Sequence, residues 1–144
     1  MVDRPTLAEL LDAVRAHLEL RLAPRLAQER KLYDQTLAAM EALRMAGREL
    51  ELGPEHLQTE WARLNFLQET SLPLPSDLNA ARLALAERNR RLCEQIAAGA
   101  FDRGARRAML VEHLLMNARE QLAVNNPRFL QSLAREDEER ERTR

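Results

Sequence analysis

Residues 103–127 read RGARRAMLVEHLLMNAREQLAVNNP. Two apolar rows run through this stretch at steps of three and four residues. Ala108, Val111, Leu115 and Leu122 make one row, and Leu110, Leu114 and Val124 make another. That spacing predicts a helix from about Arg103 to Val124. Asp102 stands where a capping side chain is useful. Pro127, behind Asn125 and Asn126, cannot continue the backbone ladder and ends the helix. A helix that is apolar over so wide an arc belongs near the centre of a bundle.

The rest of the chain has the same character. Leu and Ala supply 27 and 22 of the 144 residues, against five Val plus Ile. Leu and Ala favour helices, whereas the β-branched and aromatic residues that favour strands are scarce. The composition therefore predicts an all-α fold. At this length one domain can bury roughly 68–70% of the surface its unfolded chain exposes.

Four further helices are predicted ahead of residue 103. Thr6 and Glu9 form a capping box, and Leu7, Leu10, Leu11, Val14, Leu18 and Leu22 then make one stripe that ends or kinks at Pro24. A second helix spans about Arg25 to Leu52, with Leu26, Tyr33, Leu37, Met40, Leu43, Gly47 and Leu50 inward. Gly47 in its middle costs about 1 kcal/mol relative to Ala, which implies a close helix approach or a bend there. Gly53 and Pro54 read as the end of that helix and the start of a third, which buries Leu57, Trp61 and Leu64 up to about Gln68. Leu72-Pro73-Leu74-Pro75 forbids helix and reads as a packed loop. Ser76 caps a fourth helix, about Asp77 to Ala98, with Leu78, Leu85, Leu92 and Ile96 inward and Cys93 as a small buried filler. A short turn follows Pro127, in which Phe129 and Leu133 fold back. The expected architecture is a single-domain helical bundle of about five main helices over residues 1–134, with the fifth central. Residues 135–144 carry four Arg, five acidic residues and no apolar residue, so they read as a frayed helix or disordered tail.

Several chemistries lack their residues. The four glycines are too scattered for a phosphate-binding loop, and no Gly-x-Ser-x-Gly elbow is present. One Cys excludes an internal disulfide and a multi-cysteine metal site. No Glu stands three before a His, and His56 with Glu60 reads as a solvated pair, so no metal or other cofactor is implied. No apolar run is long enough to span a bilayer and residues 1–6 do not resemble a secretory signal, which makes the cytoplasm the expected address.

Four residues remain as candidates for ligand binding: Tyr33, Asn89, His113 and Asn117. Asn89 is a polar residue on the row of Leu85 and Leu92, where it either fixes helix register or points into a pocket. His113, Asn117 and Glu120 share a row that either faces solvent or sets a general base and an orienting amide over a cleft.

The net charge of −1 conceals opposed stretches. Residues 41–69 carry six Glu against three Arg. Arg88, Arg90, Arg91, Arg103, Arg106 and Arg107 face only Glu87, Glu94 and Asp102. Opposite patches favour pairing within the molecule or across a homodimer. With Phe101 the one aromatic residue near the basic stretch, binding of nucleic acid is not expected.

The blocks RPTLAELL (4–11), RELELGP (48–54), Asn89 to Cys93, and LAVNNPR (122–128) resemble an uncharacterised bacterial family of small helical proteins of unknown function. The resemblance extends from Arg4 to Phe129. Leu32-Tyr33 and Met40 depart from it, standing where members carry Phe-His and a later Asn. The resemblance implies genes beside an acyl-CoA dehydrogenase and a kinase-like phosphotransferase related to aminoglycoside kinases. The leading expectation is thus a non-enzymatic accessory protein that binds such an enzyme in acyl-CoA or lipid catabolism. The alternative is a small-molecule binder or enzyme whose cleft is lined by Tyr33, Asn89, His113 and Asn117.

Overall fold

The computed structural model describes residues 4–143, and its regular elements are helical, in agreement with the all-α expectation. Five α-helices follow in order: α1 (Leu7–His17), α2 (Arg30–Leu67), α3 (Leu78–Ala97), α4 (Gly104–Asn125) and α5 (Pro127–Arg142). The chain divides into two compact units, Met1–Leu52 and Gly53–Arg144, with the division inside α2.

In the first unit, Thr6 and Glu9 form the expected capping box at the start of α1. The α-helical ladder then fails ahead of Pro24, which has no N–H to offer the preceding turn. The chain passes through a π-turn (Leu18–Leu22), where Ala23 N–H donates to the carbonyl of Leu18, and then through a 3-10 turn (Ala23–Leu26). The first half of α2 supplies Thr36 and Met40 to the interior. One expectation fails here, and another loses one of its two alternatives. Leu7, Leu10 and Val14 are about half exposed, so the α1 stripe is only partly covered, with Leu11 lining a cavity beside Leu43 and Gly47 of α2. At Gly47 an added Cβ meets no heavy atom within 4 Å, so the glycine does not serve a close approach.

The break expected at Gly53-Pro54 is also absent, and α2 runs through both residues. Pro54 loses one backbone hydrogen bond, but Gly53 has no Cβ to clash with the proline ring, which removes part of the usual penalty. The expected second and third helices are therefore one.

The core of the second unit gathers Leu64 and Leu67 from α2, Leu92 from α3, Leu110 from α4, and Phe101 from the connection between α3 and α4. The loop after α2 is non-helical, as the prolines imply, and is tied to α2 where Trp61 Nε1 and Asn65 Nδ2 both donate to the Leu72 carbonyl, at 2.8 and 3.0 Å. It is only partly packed, with Leu72 itself 49% exposed. Asp77, one residue after Ser76, is the side chain that caps α3. Gly99 adopts φ 79°, a left-handed turn that admits glycine at least strain.

Two side chains of α3 depart from the sequence reading. Cys93 is exposed, because it lies one step around the helix from Leu92. Arg88 is buried at 6% exposure, with its guanidinium 4.5 Å from the centroid of the Trp61 ring and donating to Gln68 Oε1. Burial lowers its pKa. Part of each charged stretch is taken up by local pairs. Glu87 takes Arg90 and Arg91, Arg90 also meets Glu94, and Glu41 takes Arg44 and Arg48. Asn126 caps α5, which continues as an exposed helix through the charged tail to Arg142 rather than stopping after a short turn.

Candidate functional site

Helical geometry puts Glu60 and Arg63 on one flank of the buried row Leu57, Trp61 and Leu64, since each lies a single step from it. On α4, His113, Asn117 and Glu120 recur at four and three residues and so share one face. The two sets meet. Arg63 donates from Nη1 to Glu120 Oε1 at 2.8 Å and from Nη2 to Glu120 Oε2 at 2.5 Å. The same Nη2 donates to Asn117 Oδ1 at 2.7 Å. Asn117 Nδ2 donates to Glu60 Oε1 at 3.0 Å, and Asn89 Nδ2 reaches that oxygen from α3 at 2.8 Å. Thr59 Oγ1 adds a bond to Glu120 Oε1 at 2.9 Å.

This network determines the protonation of His113. The Asn117 amide has its oxygen held by Arg63 and its nitrogen held by Glu60, so the nitrogen is what lies 3.3 Å from His113 Nε2. An amide nitrogen can only donate, hence Nε2 accepts. The proton of the neutral ring is then on Nδ1, which has no hydrogen-bond partner among the described residues. His113 is 3% exposed. Burial lowers its pKa and the charge of Arg63 pushes the same way, against Glu60 and Glu120. For Glu120, burial alone raises the pKa, but the bonds from Arg63 and Thr59 outweigh it and hold the carboxyl below its ordinary value.

His113 also forms part of a cavity of about 330 Å³ between α2 and α4. Its other walls are Ala62, Arg63, Phe66, Leu67, Met109 and Glu112. Arg63 Nε is a second buried donor in this wall without a partner among the described residues. The surface is therefore mostly apolar, and two N–H groups without a partner among the described residues lie buried just behind it.

The structure brings together Asn89, His113 and Asn117 of the sequence-derived set. The row of His113 does not face solvent; it is turned inward. Tyr33 belongs to the first unit, where it lines a different cavity, of about 350 Å³, with Glu19, Ala23, Pro24, Ala27, Leu37 and Met40. Glu60 and Arg63 are the partners that sequence reading missed. Their signal was position: both flank an apolar row on the same helix. Glu60 was instead taken as half of a solvated pair with His56.

Beside this site, α4 exposes apolar side chains. Val111 is 48% and Leu115 55% exposed, and both line a surface groove with Gly104, Arg107, Ala108 and Glu112. Glu112 borders both groove and cavity. Phe66, on the cavity's rim, is 73% exposed. Among the described residues, no group of three or more His, Cys, Asp or Glu is placed to hold a metal ion. Likewise, no described helix is long and apolar enough to cross a membrane.

No curated protein and no solved structure matches the chain. A family model matches residues 24–129, a span that contains every residue of the α2–α4 network. The chain belongs to the family described as Domain of unknown function (DUF6285).

Proposed function

We propose that the chain is a non-enzymatic accessory protein that docks a protein partner on the exposed apolar face of α4. The observation that carries this reading is the groove formed by Ala108, Val111 and Leu115, with Leu114 (47% exposed) beside it. A contiguous apolar surface that the chain does not cover is a usual mark of an interaction site. The half-exposed stripe of α1 supports the same reading for the first unit. The family resemblance supplies the context, an acyl-CoA-handling or kinase-like enzyme as partner. A second copy of the chain is the competing occupant. Native mass measurement of the protein purified from its source cell separates these outcomes. A heteromeric complex supports the proposal, a homodimer redirects it, and a bare monomer contradicts it.

One observation favours a second reading, small-molecule binding in the cavity between α2 and α4. His113 is buried in its wall with a donor that finds no partner among the described residues, and Asn89 and Asn117 hold the ring's surroundings in place. A metabolite that remains bound through native purification is the result this reading expects; a chain that carries none under those conditions counts against it.

A further inference from the structure

We infer that the cavity between α2 and α4 binds an uncharged, mainly apolar molecule bearing a carbonyl oxygen, which accepts a hydrogen bond from His113 Nδ1–H. The inference rests on the small-molecule reading and adds the chemical class of the ligand. Three observations select that class.

First, the unmet demand in the wall is for an acceptor. With Nε2 accepting from Asn117, His113 presents an N–H at Nδ1, and Arg63 Nε is also an N–H. Both are buried donors, and a buried donor without an acceptor costs about 1–3 kcal/mol. A ligand amine or other pure donor leaves both unsatisfied, whereas a carbonyl oxygen has two lone pairs to offer.

Second, the local charge excludes a strongly anionic ligand. The Arg63 charge is already taken by Glu120 through two hydrogen bonds. Glu60 stands behind Asn117, and Glu112 lies in the cavity wall itself. A carboxylate or phosphate entering here meets the Glu112 carboxylate in the wall, with Glu60 close behind it and no free cation in the wall.

Third, the remaining walls are Ala62, Phe66, Leu67 and Met109, which suit an apolar body. Neither donor is open to solvent, so the ligand reaches them as an adjoining side chain moves aside.

The test compares two probes of one shape: acetophenone, and ethylbenzene, which lacks the oxygen. The full chain is labelled with ¹⁵N-histidine and titrated with each. The expected result has three parts. The free protein carries the His113 proton on Nδ1. Acetophenone shifts that resonance saturably. It binds about five-fold more tightly than ethylbenzene, the ratio given by one net hydrogen bond. Ala62→Phe, which fills the cavity from an exposed position, abolishes the shift and leaves the tautomer unchanged. Equal binding of the two probes overturns the carbonyl assignment while leaving the small-molecule reading intact. A proton on Nε2 overturns the assignment as well. A His113 resonance that neither probe moves overturns both.

Discussion

Arg63 donates to Asn117 Oδ1 at 2.7 Å, from α2 to α4, and so turns the amide nitrogen of Asn117 toward His113. Together with the bond to Glu60, this contact converts a surface-looking polar row into a partly buried network around a buried His113, with one defined histidine tautomer. The consequences are measurable.

His113 makes stability depend on pH. Its folded pKa lies below its unfolded value near 6.5, chiefly through burial. The unfolded state therefore binds the proton first. Stability contributed by the neutral ring is full above about pH 6.5 and falls as pH drops through that value toward the folded pKa. Thermal midpoints measured between pH 7.5 and pH 5 should decline for the wild type and flatten in His113→Gln over the same window. Equal slopes for the two proteins contradict the burial of a neutral ring.

The Arg63–Glu120 pair is partly buried, with side-chain exposures of 21% and 16%. Removing one member strands the other. Glu120→Leu should cost about 2 kcal/mol in urea unfolding, less than for a fully buried pair because water still reaches the site. The double variant Arg63→Leu with Glu120→Leu should recover part of that loss, since no lone charge remains. Additive losses contradict the pairing.

Pro54 distinguishes a continuous α2 from two helices. In a helix interior its missing N–H and its ring cost stability, so Pro54→Ala should stabilise the protein by about 2 kcal/mol in thermal unfolding. Were Pro54 the first residue of a separate helix, the same change would be neutral or destabilising.

Gly47 gives a second local check. An added Cβ meets no heavy atom within 4 Å, so Gly47→Ala should stabilise by about 1 kcal/mol through helix propensity alone. A loss of stability would restore the close approach that the sequence first implies.

These cases also show where sequence reading succeeds. Helix periodicity is a local property, so the Thr6 box, the row Leu57, Trp61 and Leu64, and the extents of α3 and α4 were legible. Two capping assignments fail: Asp77 and not Ser76 caps α3, and the N-cap position of α4 is Arg103, not Asp102. The Gly53-Pro54 step was not, because the same pair that ends one helix and begins another is also the least strained way to pass a proline through one. Burial of Arg88 and the pairing of Glu60 were illegible for a different reason. They depend on Trp61, Gln68, Asn89 and Asn117, partners that only the tertiary arrangement supplies. Of the candidate site, Asn89, His113 and Asn117 were recognisable as polar residues in or beside apolar rows, whereas Tyr33 shared only their chemistry and not their place.

The most direct test of partner docking is co-purification by Val111→Lys with Leu115→Lys. Both positions are about half exposed, so the double variant should unfold within about 1 kcal/mol of the wild type. The protein purified from its source cell should carry an acyl-CoA-handling or kinase-like enzyme, and the double variant should lose it. A variant that folds normally and retains the enzyme, or a wild type that carries none, contradicts the account.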